Sequence, residues 1–208
     1  MSEASAPIRS AASIGPGALV LVVGPSGAGK DTLISVARSR LSGAPRFVFA
    51  RRIVTRPSSA WEEHDTLTPE AFAAAEQAGR FCLSWRAHEL SYGLPARLED
   101  DVRAGRVVVA NVSRSVVGAA RARFARVICV AVTAPLEILA ARLAARTRGD
   151  SVGDRLARAD SVALAGLADE VIENVGEPAS GGAMLVEILQ RAAWPAERPA
   201  PDRLSALS

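Results

Sequence analysis

The segment Gly24-Pro25-Ser26-Gly27-Ala28-Gly29-Lys30-Asp31-Thr32 follows directly on the apolar run Leu19–Val23 and precedes a helix-like pattern at Leu33, Ile34, Val36, Ala37 and Leu41. Glycines at 24, 27 and 29 permit backbone angles closed to other residues, so successive amide N–H groups can turn inward as a nest for anionic oxygens. A helix starting near Lys30 adds the positive end of its dipole. Strand, Gly-x-x-x-x-Gly-Lys turn and helix together constrain the fold to a βα unit built around a phosphate-binding loop, with residues 24–32 as nucleotide contacts. Of the 25 lysines and arginines in the chain, only Lys30 is a lysine. A compact ammonium on a flexible stem suits the β and γ phosphates of a nucleotide, which makes Lys30 the foremost catalytic candidate.

One position departs from the usual pattern. Where a Ser or Thr normally serves Mg²⁺ after the lysine, this chain has Asp31 followed by Thr32. A carboxylate is a hard oxygen ligand and could serve the ion directly or through water, with Thr32 supplying a hydroxyl. Both are therefore metal candidates; the lesser alternative is that Asp31 simply caps the first helical turn.

Hydrophobic residues make up 49% of the 208, enough to bury one substantial core, so the expectation is a single domain over 18–193. Residues 1–17, rich in Ser, Ala, Pro and Gly, read as a disordered leader, and 194–208, with Pro195, Pro199 and Pro201, as a disordered tail. A net charge of +3 with scattered arginines is only weak evidence for nucleic acid; pairs such as Arg51-Arg52 read as solvated surface. No apolar run reaches the roughly 18 residues of a membrane span. Two cysteines, Cys82 and Cys129, sit inside apparent strands and suit buried free thiols in a reducing cytoplasm.

Alternating strand-like and helix-like stretches predict an α/β fold with a five-stranded, mainly parallel sheet and helices on both faces. Strands are expected near 18–23, 47–54, 107–112, 127–133 and 170–173. Helices are expected near 30–41, 96–104, 115–124, 135–147, 154–167 and 182–192. The interval 55–95, with a short helix opened by Thr68-Pro69-Glu70 and a strand at 80–86, reads as an acceptor-binding insertion, and 146–154 as a lid.

Phosphoryl transfer needs cations that neutralise charge and align donor with acceptor. Arg142, Arg146, Arg148 and Arg155 flank the lid, and Arg146 and Arg155 are the preferred catalytic pair because a guanidinium fork suits two phosphate oxygens. In the insertion, Thr55 and Arg56 leave a core strand where an acceptor phosphate could be gripped, and Trp85, His88 and Tyr92 follow as a cluster. The third core strand ends at Asn111, with Ser113 and Arg114 beyond it, where many phosphate-loop proteins carry an acidic residue. These residues are candidate acceptor contacts at the carboxyl ends of the strands; a simple turn is the competing explanation.

Taken together, these motifs resemble the guanylate-kinase-like branch of the phosphate-loop kinases, and within it the ribose 1,5-bisphosphate phosphokinases of phosphonate utilisation. The resemblance spans about Leu19 to Asn174. It is carried by Gly-Pro-Ser-Gly-Ala-Gly-Lys-Asp at 24–31, Ile-Val-Thr-Arg at 53–56, Leu-Ser-Trp-Arg-Ala-His at 83–88, Tyr92-Gly93, Asn111-Val-Ser-Arg114 and Arg155-Leu-Ala-Arg158. It implies transfer of the γ-phosphoryl of ATP, with Mg²⁺, to ribose 1,5-bisphosphate, giving 5-phospho-α-D-ribose 1-diphosphate. It also implies adenine contacts near Glu173 and Asn174.

Two alternatives stay open. Guanylate kinases share the Thr-Arg and Tyr-Gly landmarks but follow Tyr-Gly-x with Ser and carry an acidic residue in the third-strand segment; here stand Leu94-Pro95 and Asn111, although Glu62 or Glu63 could match a base-reading glutamate. A non-catalytic nucleotide-binding module has no need of Lys30. The expected partners are a phosphorylated sugar and ATP, with neither nucleic acid nor membrane; the oligomeric state is left open, a homodimer among the options.

Overall fold

The computed structural model describes residues 13–57, 64–87, 89–146 and 166–193. Its central strand, β1 (Ala18–Val23), is buried along its whole length. Ala18, Val20 and Val22 enter one apolar cluster and Leu19, Leu21 and Val23 the other, the period-2 alternation of a strand covered on both faces. Around it lie β2 (Phe47–Phe49), β7 (Val107–Asn111), β8 (Val127–Thr133) and β9 (Glu170–Glu173), in the order β2-β7-β1-β8-β9. All four pairings are parallel. The five-stranded parallel sheet flanked by helices is thus the architecture expected from the sequence.

Two helices close the face beneath the phosphate loop: α1 (Lys30–Arg40) and, numbering the described helices in chain order, α6 (Pro178–Ala193). α6 starts four residues earlier than the expected 182, running through Gly181-Gly182. Glycine normally weakens a helix, but here a Cβ on Gly182 would lie 2.3 Å from Val36 Cγ1, so the missing side chain is what lets α6 approach α1. On the opposite face, α3 (Leu98–Arg103) and α4 (Val117–Arg123) are fastened by Glu99, whose carboxylate accepts from Arg103 Nη2 at 2.7 Å and Arg123 Nε at 2.8 Å. The remaining helices are α2 (Pro69–Gln77) and α5 (Leu136–Arg146).

The expected strand 47–54 is two strands. After β2 the chain leaves the main sheet at Ala50-Arg51 and enters a second, four-stranded sheet as β3 (Arg52–Val54). There it pairs in parallel with β4 (His64–Thr66) and antiparallel with β6 (Leu90–Pro95), which pairs in turn with β5 (Phe81–Ala87). This second sheet and α2 form the insertion. Residues 13–17, within the stretch read as a leader, make main-chain bonds: Ile14 N–H donates to Arg123 O at 2.9 Å and Ile14 O accepts from Ala125 N–H at 2.8 Å. The tail 194–208, the helix at 154–167 up to residue 165, and the lid beyond Arg146 lie outside the described residues. None of the described helices is long and apolar enough to cross a membrane.

Candidate active site

In a parallel sheet the carboxyl ends of the strands share one edge. That edge collects the loop after β1, Asn111 at the end of β7, and Asn174 just after β9. The loop needs its glycines. Gly24 has φ 144° and a Cβ there would lie 2.1 Å from Val132 O; Gly29 has φ 91° and a Cβ would lie 2.4 Å from Asn174 Nδ2. A side chain at either place would force the cradle apart. Lys30 folds back along it, Nζ donating to Gly24 O at 2.7 Å and Pro25 O at 2.9 Å.

Asp31 stands in the first turn of α1, where an anion is favoured by the dipole. Its Oδ1 accepts from Asn111 Nδ2 at 2.7 Å and lies 3.7 Å from Arg52 Nη2. Arg52 is a correction to the sequence reading: its side chain is 12% exposed, not solvated surface, whereas its neighbour Arg51 is half-exposed and pairs with Asp65 at 2.7 Å. Asn111, expected to touch the acceptor, is buried with its amide committed to Asp31. Thr32 is exposed beside them.

Asn174, implied as an adenine contact, is buried beneath the loop. Its Nδ2 donates to Ala28 O at 2.8 Å and its main-chain N–H to Thr133 O at 2.7 Å, so it ties the sheet edge to the cradle from below. Glu173, named with it, closes β9 and is exposed.

On the insertion side, Thr55 and Arg56 follow β3. Thr55 Oγ1 accepts from Ser91 N–H at 2.9 Å, and Arg56 O accepts from Thr66 Oγ1 at 2.9 Å. Both residues are half-buried. Tyr92, expected among the substrate contacts, is a buried core residue whose ring stacks on Trp85 at 5.4 Å with planes 5° apart. Beyond β7, Ser113 caps a 3₁₀ turn at Arg114–Val116, its Oγ accepting from Ser115 Oγ at 2.9 Å, and Arg114 is half-buried at the start of that turn.

On α5, Arg142 keeps Nη1 buried without a hydrogen-bond partner among the described residues. Arg146 closes the same helix; its side chain, together with His88, Arg155, Glu62 and Glu63, lies outside the described residues.

The structure therefore unites Lys30, Asp31, Asn111 and Asn174 about one loop and places Thr55 and Arg56 just beyond β3 of the second sheet. Sequence reading missed Arg52, His64 and Thr66. Arg52 carried a signal in its place two residues before Val54 on an alternating strand; the three-residue strand His-Asp-Thr carried none.

No family model matches the chain. Curated relatives do. Ribose 1,5-bisphosphate phosphokinase PhnN of Rhodopseudomonas palustris is 54% identical over 85% of this chain and 90% of its own length. The protein of the same name from Methylobacterium radiotolerans is 54% identical over 84% and 98%. Among solved structures, a guanylate kinase from Anaplasma phagocytophilum superposes with a TM-score of 0.64 over 86% of each chain at 20% identity, which establishes a shared fold and no more. With half of its residues shared across nearly the full length of these relatives, and with the phosphate loop built as described, the chain belongs to the ribose 1,5-bisphosphate phosphokinase family.

Proposed function

We propose that this kinase transfers the γ-phosphoryl group of ATP to the 1-phosphate of ribose 1,5-bisphosphate, giving 5-phospho-α-D-ribose 1-diphosphate and ADP. The observation that carries the choice of acceptor is the 2.7 Å bond from Asn111 to Asp31. Where the guanylate-kinase-like pattern implies an acidic reader of guanine, this chain has a neutral amide already spent on the phosphate loop. A site built to bond a base loses discrimination when that partner is missing.

The residues present suit a triphosphate and its metal. Gly24, Gly27 and Gly29 all hold positive φ angles that open the loop's amides toward an anion, and at Gly24 and Gly29 a Cβ would also collide with Val132 O and Asn174 Nδ2. Lys30 leaves the Gly24 and Pro25 carbonyls to neutralise β and γ oxygens. Nη1 of Arg142, buried without a hydrogen-bond partner among the described residues, is a donor that a phosphate oxygen would satisfy, and Arg146 and Arg155 close on the transferring group. Asp31 and Thr32 would hold Mg²⁺, an ion that typically takes one or two carboxylates and completes its shell with waters and substrate phosphates. Bound there, Mg²⁺ would offset charge on the β and γ phosphates.

Thr55, Arg56, His88, Ser113 and Arg114 grip the acceptor. An acceptor phosphate is ionised at neutral pH, so no side chain need remove a hydroxyl proton. Alignment and charge compensation are then the whole of the protein's task. Both cysteines are free and buried, which suits cytoplasmic work.

Phosphorus NMR with ATP and Mg²⁺, offering ribose 1,5-bisphosphate and GMP together, tests the reading. Growth of diphosphate resonances on the sugar with GMP unchanged is expected. Formation of GDP alone would overturn it.

A further inference from the structure

We infer that His64 is a positioning residue for the acceptor site, acting through the main chain of Arg56; this rests on the acceptor role proposed for Arg56. His64 is 1% exposed, and its Nε2 lies 3.2 Å from Arg56 O. A carbonyl oxygen can only accept, so the contact fixes the tautomer: Nε2 carries the hydrogen. Nδ1 is then buried with no hydrogen-bond partner among the described residues. An apolar side chain would fill the space without that unpaired atom, whose burial costs stability. The bond to Arg56 is the one thing such a side chain could not make.

Two donors from one short strand converge on the same oxygen, since Thr66 Oγ1 also donates to Arg56 O, at 2.9 Å. Period-2 geometry puts residues 64 and 66 on one face of β4, and the register Arg52↔His64, Val54↔Thr66 brings that face alongside the chain leaving β3. β4 is itself secured: Leu67 N–H donates to Val54 O at 3.2 Å, and Arg51, bound to Asp65, donates through Nη2 to His64 O at 3.4 Å. From the other side Thr55 is held by both main-chain polar groups of Ser91, whose N–H donates to Thr55 Oγ1 at 2.9 Å and whose O accepts from Thr55 N–H at 3.1 Å. Pro57 further limits Arg56 to extended backbone. With its peptide oxygen clamped and its neighbours fixed, Arg56 has little backbone freedom left to lose when it meets a phosphate. That preorganisation lowers the cost of binding without touching the donor site.

The test compares His64→Leu, His64→Gln, Thr66→Val, Arg56→Ala and the double variant His64→Leu/Arg56→Ala in the full chain, with thermal unfolding checked for each. Loss of one ordinary hydrogen bond predicts an acceptor KM raised roughly tenfold in His64→Leu and several-fold in Thr66→Val, with ATP KM and kcat moving less than about twofold. Gln, whose amide nitrogen reaches about as far as Nε2, should restore most of the loss. Adding His64→Leu to Arg56→Ala should cost nothing further, because the route to the acceptor is already gone. An unchanged acceptor KM in folded His64→Leu or Thr66→Val, failure of Gln to rescue, or multiplicative losses in the double variant would each overturn the inference. If His64→Leu does not fold, Thr66→Val and His64→Gln decide it. Should the wild-type chain phosphorylate GMP and not the sugar, the substrate proposal fails, while the same comparison with GMP as acceptor still judges His64.

Discussion

Asn111 and Asp31 are 80 residues apart in sequence, yet the amide of one donates to the carboxylate of the other at 2.7 Å. The bond runs from the carboxyl end of β7 to the first turn of α1 and lets a neutral residue orient an acid. A carboxylate has about four lone-pair sites, so one bond from Asn111 leaves Asp31 able to serve a cation or its water shell.

Asp31→Asn therefore keeps shape and loses charge. The expected outcome is a Mg²⁺ requirement shifted upward with kcat reduced about 10- to 100-fold. Asn111→Asp should be as harmful for the opposite reason, since it sets two carboxylates against each other. Magnesium titrations of initial rate check both.

Lys30→Ala should lower kcat by about 10³-fold, the scale expected for a donor aimed at developing charge. Unfolding temperature should scarcely change, because Nζ is only part-buried and the Gly24 and Pro25 carbonyls it serves can take water instead. Arginine should not rescue, as its planar fork is larger than the ammonium the cradle surrounds.

Asn174→Ala strips the buried bond to Ala28 O, and the expected cost is about 1–3 kcal/mol of stability. The kinetic signature is a raised Kd for ATP with the acceptor KM unmoved, because the loop is the element released. Calorimetric titration with a non-hydrolysable analogue measures it.

Burial pushes the thiols of Cys82 and Cys129 up to about 11 each, with the carboxylates of Glu99 and Asp169 respectively adding to the shift. In the unfolded chain both titrate near 9. The folded state holds these protons longer, so their contribution to stability is complete below about pH 9 and is lost as pH climbs through about 11. Urea unfolding between pH 8 and 11 should show this decline. At pH 8 a thiol reagent should label neither cysteine until the chain unfolds.

The parts of this molecule that the sequence revealed are those in which local pattern and tertiary role coincide. Leu19–Val23 is apolar throughout because both faces of β1 are covered, and the glycines at 24 and 29 mark angles and close approaches that no other residue tolerates. Thr68-Pro69 announces α2 in the same way, Thr68 Oγ1 accepting from Ala71 N–H at 3.2 Å. Other features have no local signature. His64-Asp65-Thr66 is too short and polar to read as a strand; its identity comes from pairing with β3. Apolar residues on both sides of Arg51-Arg52 made 47 to 54 read as one strand, and the link at Ala50-Arg51 contains neither Gly nor Pro to mark the change of sheet. Tyr92 read as a substrate contact because it clusters in sequence with Trp85 and His88 in the insertion, whereas its ring stacks on Trp85 and is buried in the core. The partnership of Arg52 with Asp31 depends on two sheets meeting, which no spacing encodes.

The passage from β2 to β3 through Ala50 and Arg51 is the shortest covalent path between the main sheet, with its phosphate loop, and the second sheet, beside which the acceptor contacts are proposed. Ala50 N–H is pinned to Val109 O at 2.8 Å, so the span behaves as a spacer of fixed length. One residue added there would displace the acceptor arm by up to ~3.3 Å, as much as the whole separation of reacting atoms in an aligned pair. The two-residue bridge thus sets the spacing of the two sheets, and a residue inserted there is expected to disturb that spacing more than a replaced side chain would.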